Sequence, residues 1–149
     1  MLTDKRIKQL QKHASNISRY SQYKFKLGAV LFKGSKILST GFNTNKTHPK
    51  VMKYFKYGRV HAEFDCLLHA DPDDIAGSSI YVLRMNKKGE TVIAKPCPMC
   101  ARMMKEFGVV EAFWSTSEEP YYESSTIDDL IDGITDEKLS LELNKYSIN

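Results

Sequence analysis

Apolar side chains recur at steps of three and four in the first stretch of the chain, where Ile7, Leu10, Ala14 and Ile17 punctuate "DKRIKQLQKHASNIS". That spacing predicts an amphipathic helix with one buried stripe, and Thr3 just ahead of it offers a capping hydroxyl. The runs "KLGAVLF" and "KILSTGF" are shorter and partly alternating, which predicts two strands joined as a hairpin around Gly34. A polar and aromatic stretch, "NTNKTHPKVMKYFKYGR", then predicts a loop leading to a second helix over about Val60 to Ala70. Turn chemistry in "DPDDIAGS" ends it. "SIYVLRM" reads as a strand, "NKKGE" as a turn and "TVIA" as a short apolar run. Pro96 is suited to open a third helix through about Phe107, since a proline in the first turn sacrifices no hydrogen bond. "GVVEAFWST" is the last clear strand. From about residue 117 onward the chain is an acidic extension, with a short terminal helix expected around "DEKLSLELNKY". The order helix, hairpin, helix, strand, helix, strand predicts a single α/β domain spanning residues 1–149, three layers (α/β/α) around a mixed central sheet. The pattern does not set the order of the strands in that sheet.

Composition narrows the class. At 149 residues with 42% apolar content, the chain suits one domain with its own core. No run approaches the roughly 18–20 uncharged apolar residues needed to cross a bilayer. The opening "MLTDKRIKQLQKH" is charged where a secretory signal is apolar, so a cytoplasmic protein without a membrane partner is expected. A net charge of +4 conceals an asymmetry: residues 1–60 hold 14 Lys and Arg against Asp4 alone, whereas residues 61–149 hold 8 against 17 acids. Such a cationic first part attracts phosphate, on a nucleotide or on a nucleic acid. For any one lysine the plainer reading is a solvated face that answers the acidic second part.

The chemistry concentrates in "RVHAEFDC" and "KPCPMC". Three cysteines, two of them at Cys-x-x-Cys spacing, suggest metal or redox chemistry in a reducing compartment rather than a disulfide framework. On the first turn of a helix, Cys97 and Cys100 project to one side, where the helix dipole favours thiolate. Two thiolates and the imidazole of His61 make a donor set for zinc and leave one tetrahedral position for water, as in catalytic sites. Zinc lowers the pKa of such a water from 15.7 to about 7. Glu63 lies two positions from His61, about 200° around a regular helix, so it is badly placed to share the ion. It can reach the water or a substrate and shuttle protons. Cys66 lies on another helix face and reads as a buried apolar thiol, while His13, His48 and His69 read as surface or loop residues.

His-x-Glu followed by Pro-Cys-x-x-Cys resembles the signature of the zinc-dependent cytidine and deoxycytidylate deaminase superfamily, which includes tRNA adenosine deaminases and polynucleotide cytidine deaminases. The likeness runs roughly from Leu27 to Thr116. It implies a cytidine deaminase-like fold, a Zn2+ ion held by His61, Cys97 and Cys100, and Glu63 as the general acid and base. "GFN" matches a Gly-x-Asn of the family, which implies that Asn43 contacts the sugar or base, while backbone groups at Ala62 and near Lys95 hydrogen-bond the base. Histidine as first ligand favours the deoxycytidylate and polynucleotide branches over nucleoside deaminases. One departure stands out: "NKKGETVIA" separates the strand from the Pro-Cys motif. The resemblance also implies homo-oligomers. The expected reaction is dCMP to dUMP plus ammonia. The rivals are deamination of a base in single-stranded DNA or RNA, including tRNA adenosine, and a non-catalytic zinc module that binds nucleic acid. Between Lys46 and Arg59, cations interleave with Tyr54, Phe55 and Tyr57, a combination that can hold a 5′-phosphate or track a single strand.

Overall fold

A computed structural model describes residues 2–44 and 61–133. The Thr3 hydroxyl accepts the Arg6 N–H at 3.1 Å and opens helix α1 (Asp4–Ser18), as its spacing requires. Strands β1 (Lys26–Lys33) and β2 (Lys36–Phe42) pair antiparallel across a turn in which Gly34 takes φ +58, the left-handed region that favours glycine. Helices α2 (Ala62–His69) and α3 (Pro72–Ile75) follow. Strand β3 (Ser79–Met85) then pairs antiparallel with β1, and β4 (Thr91–Val92) folds back onto its end. The turn between them is held by the Asn86 side chain, which accepts from the N–H groups of Lys88 and Glu90 at 3.0 and 2.9 Å. Helix α4 (Pro98–Phe107) stops at Gly108 and leads into β5 (Glu111–Ser115), parallel to β3.

Two further elements lie in what the sequence marks only as an acidic extension: β6 (Tyr122–Thr126), antiparallel to β5, and α5 (Ile127–Asp132). Residues 122–132 are therefore part of the layered fold. The sheet runs β2-β1-β3-β5-β6, with β4 beside β3. Side chains alternate across it. Val30, Phe32, Tyr81, Leu83 and Phe113 pack under Leu10 and Ala14 of α1 on one face. Ala29, Leu31, Ile80, Val82, Ala112 and Trp114 share the other core with α2, α4 and α5. This is the expected three-layer α/β/α arrangement.

Two boundaries differ from the sequence reading. α2 begins at Ala62, with His61 as its cap. α4 begins at Pro98, two residues later than Pro96 suggests, because Cys97 precedes a proline and is pushed out of the helical region, to φ −70 and ψ 162. The helix expected around "DEKLSLELNKY" and the basic stretch from Lys46 to Arg59 lie outside the described residues. Among the described residues, no helix is long and apolar enough to cross a membrane.

Candidate active site

The N-terminal end of α2 rests directly on the end of β2. A Cβ at Gly41 would come within 2.7 Å of the Ala62 carbonyl oxygen and clash with the Cys66 backbone, so the helix approaches this closely only because residue 41 is glycine. Two hydrogen bonds fix the contact. Asp65 Oδ2 accepts the Phe42 N–H at 3.0 Å, and the Ser39 hydroxyl donates to the Cys66 carbonyl at 2.7 Å. At the other helix, Ser115 Oγ donates to the Val92 carbonyl at 2.7 Å and accepts the Arg84 N–H at 3.1 Å, while the Ser115 carbonyl accepts the Ala94 N–H at 3.0 Å. The run into Pro96 and Cys97 is thereby tied to β3 and β5.

Both helices start alike. His61 caps α2 at φ −70 and ψ 156, and Cys97 caps α4 in the same extended conformation. Because His61 precedes the first helical residue, its ring leaves the helix track, and the 200° separation of a regular helix does not apply to Glu63. The donor atoms of His61, Cys97 and Cys100 lie within 4.8 Å of one another and could hold a metal ion. His61 Nδ1 stands 3.3 Å from Cys100 Sγ. Cys97 Sγ accepts the Cys100 N–H at 3.4 Å.

The electrostatics match this reading. A hydrogen bond from the Cys100 thiol, opposed by burial and aided by His61, holds the Cys97 thiol well below the usual range. Cys100 is pushed the other way, by that same bond to the Cys97 sulfur and by burial. The two sulfurs thus favour opposite protonation states, and a cation bound between them would stabilise both as thiolates. Burial works to lower the His61 pKa, but the Cys97 sulfur and the Glu63 carboxylate prevail and raise it. Burial raises Glu63, which is only 4% exposed. Its Oε1 is buried without a hydrogen-bond partner. An orphaned carboxylate oxygen beside one imidazole and two sulfurs is what a zinc site with an open corner calls for, so the residues present fit the ion.

The other candidates distribute as follows. Ala62 is buried in the first turn of α2. Lys95 is exposed, with Nζ 5.9 Å from the centre of the Trp114 ring. Both polar atoms of the Asn43 side chain are engaged: Oδ1 accepts the Leu27 N–H and Nδ2 donates to the Phe25 carbonyl, each at 3.0 Å. Cys66 is buried apart from the metal-binding cluster, against Ser39, and burial pushes its thiol up to about 12. His69 pairs with Asp65 at 3.3 Å, and His13 is exposed. Sequence reasoning passed over Arg84, whose guanidinium lies 4.3 Å from the centre of the Phe25 ring. The available signal was a cation closing the apolar run "SIYVLRM".

Comparison with known proteins agrees with this geometry. The model of the cytidine and deoxycytidylate deaminase zinc-binding region matches residues 3–116. No curated protein sequence matches the chain. Among solved structures, the dCMP deaminase of the cyanophage S-TIM5 superposes with a TM-score of 0.61 at 20% identity, covering 89% of this chain and 94% of that one. The cytidine deaminase of Burkholderia pseudomallei gives 0.61 at 19% identity, with 91% and 98% covered. That of Mycobacterium leprae gives 0.58 at 18%, with 84% and 96% covered. At these identities the likeness establishes the fold, and the match over residues 3–116 establishes the lineage. The chain belongs to the cytidine and deoxycytidylate deaminase family of zinc-dependent deaminases.

Proposed function

We propose that the protein deaminates a cytosine nucleotide, deoxycytidylate, to deoxyuridylate and ammonia. The buried, unpartnered Oε1 of Glu63 beside the three metal-binding side chains carries this reading. His61, Cys97 and Cys100 would hold zinc, which when bound supplies Lewis-acid activation of water at neutral pH. Glu63 accepts the proton of the attacking water as its oxygen bonds to C4 of the base. The carboxyl group then passes that proton to ring N3. A second proton, from the added hydroxyl, travels by Glu63 to the exocyclic nitrogen, the C4–N bond breaks, and ammonia leaves. Burial suits Glu63 to this work, because a raised pKa lets the carboxyl hold a proton between the two transfers. The approach of two helix N-termini adds positive potential for the Cys97 thiolate. Asn43, the backbone at Ala62 and the segment around Lys95 would orient sugar and base. The S-TIM5 dCMP deaminase has been crystallised with dCMP and dUMP.

The cations between Lys46 and Arg59, interleaved with Tyr54, Phe55 and Tyr57 just ahead of His61 in the sequence, favour a second reading, in which the base belongs to single-stranded DNA or RNA. Zinc-loaded protein offered cytidine, deoxycytidine, their monophosphates and short oligonucleotides is expected to release ammonia fastest from deoxycytidylate. Faster release from an oligonucleotide, with binding that falls steeply as salt rises, would favour the polymer. Release from none of them would refute the proposal.

A further inference from the structure

We propose that Arg84 is the anion anchor of this active site, taking the 5′-phosphate of the substrate and so selecting nucleotide over nucleoside; this rests on the deaminase reading above. Along β3, Ile80 and Val82 face the core shared with α2 and α4, while Tyr81 and Leu83 face α1. Alternation therefore directs Arg84 to the side of the metal-binding cluster. Its partner across the sheet on β1 is Leu27, whose N–H is held by Asn43. This is the end of the sheet from which β2 leads towards α2 and β4 leads to Cys97. It is also the carboxyl end of β3, where open α/β sheets receive their ligands.

The guanidinium itself is poised for an anion. Its Cζ lies over the Phe25 ring, 4.3 Å from the centroid, a contact that restricts the side chain and reduces the freedom lost on binding. Among the described residues, no carboxylate pairs with it; the ion pairs there are His69–Asp65 and Lys105–Asp128. Its Nε is buried with no partner. A cation without a counter-ion at the strand end that bears the active site is matched by a phosphate, which the guanidinium fork meets with paired hydrogen bonds. The Ser115 hydroxyl ties the Arg84 backbone to Val92, in the run that leads to Cys97, so the anchor is built on the same framework as that segment.

The test compares wild type, Arg84→Gln and Arg84→Lys as full-length, zinc-loaded protein, with zinc content and melting temperature confirmed equal. Arg84→Gln is expected to lower kcat/KM for deoxycytidylate roughly 10- to 100-fold, chiefly through KM, and to leave deoxycytidine within about twofold. Arg84→Lys should restore part of the loss. An equal loss on both substrates, or no loss on either, overturns the proposal. A short oligonucleotide weakened more than deoxycytidylate also overturns it, in favour of a phosphodiester. If wild type deaminates neither substrate, the function reading fails and the anchor is judged by binding alone: the Arg84 side-chain resonance in 15N-labelled protein should shift on titration with inorganic phosphate. An unmoved resonance overturns the anchor.

Discussion

Glu63 sits where a carboxylate is costly, enclosed and with one oxygen unpartnered, and that cost makes sense at a site of proton transfer. Glu63→Gln keeps the shape and removes the base. Turnover is expected to fall about 10²- to 10⁴-fold with zinc still near one per chain, measured by ammonia release and metal analysis side by side. Two other buried groups act on stability. Burial pushes the Cys66 thiol and the Tyr81 phenol up to about 12, above their unfolded values. The folded state then binds protons more tightly than the unfolded one, so stability is intact below about pH 9 and declines as pH climbs towards 12. Urea midpoints between pH 8 and 11 should show this fall, and Cys66→Ala should flatten it. At this scale the clustering of His61, Cys97 and Cys100 was legible, because a donor set for a metal restricts residue type and spacing. Arg84 was not, since its meaning comes from Phe25, 59 positions earlier in the chain.

The two helices that carry the candidate site are positioned by elements whose own chemistry is bland. Gly41 lets α2 lie on β2, so Gly41→Ala forces the helix that carries Glu63 to shift. A loss of about 1–3 kcal/mol is expected in chemical denaturation, together with weaker zinc retention. At the far edge, α5 buries Ile127 and Leu130 against the core beneath α4. Leu130→Ala should cost about 2–4 kcal/mol with zinc content unchanged, since its side chain is no donor to the ion. Helix α1 and the β1–β2 hairpin were readable because a helix period and a turn glycine are local signals. β6 was not: "YESST" is polar, as an exposed edge strand tolerates, and its pairing with β5 is a tertiary choice. The inserted "NKKGETVIA" likewise reads as a loop until β4 pairs with the end of β3. The start of α4 was legible in principle, because a cysteine before Pro98 is driven out of the helical region.

Across the whole molecule, α1 covers one face of the sheet while α2, α4 and α5 build on the other, so the cationic face of α1 and the metal-binding cluster lie on opposite sides. Strand order decides this arrangement, and hydrophobic periodicity carries no information about it. An ion held by the clustered donors would also contribute to the stability of the fold. Removal of zinc by a chelator should lower the melting temperature and abolish turnover, and added zinc should restore both, because the ion binds the assembled site and not the unfolded chain. Zinc K-edge X-ray absorption on the purified protein tests the metal centre most directly. Two sulfurs at about 2.3 Å and two lighter donors at about 2.0–2.1 Å are expected. A shell of four sulfurs, or one with no sulfur at all, would contradict a site made of His61, Cys97 and Cys100 with one corner open to solvent.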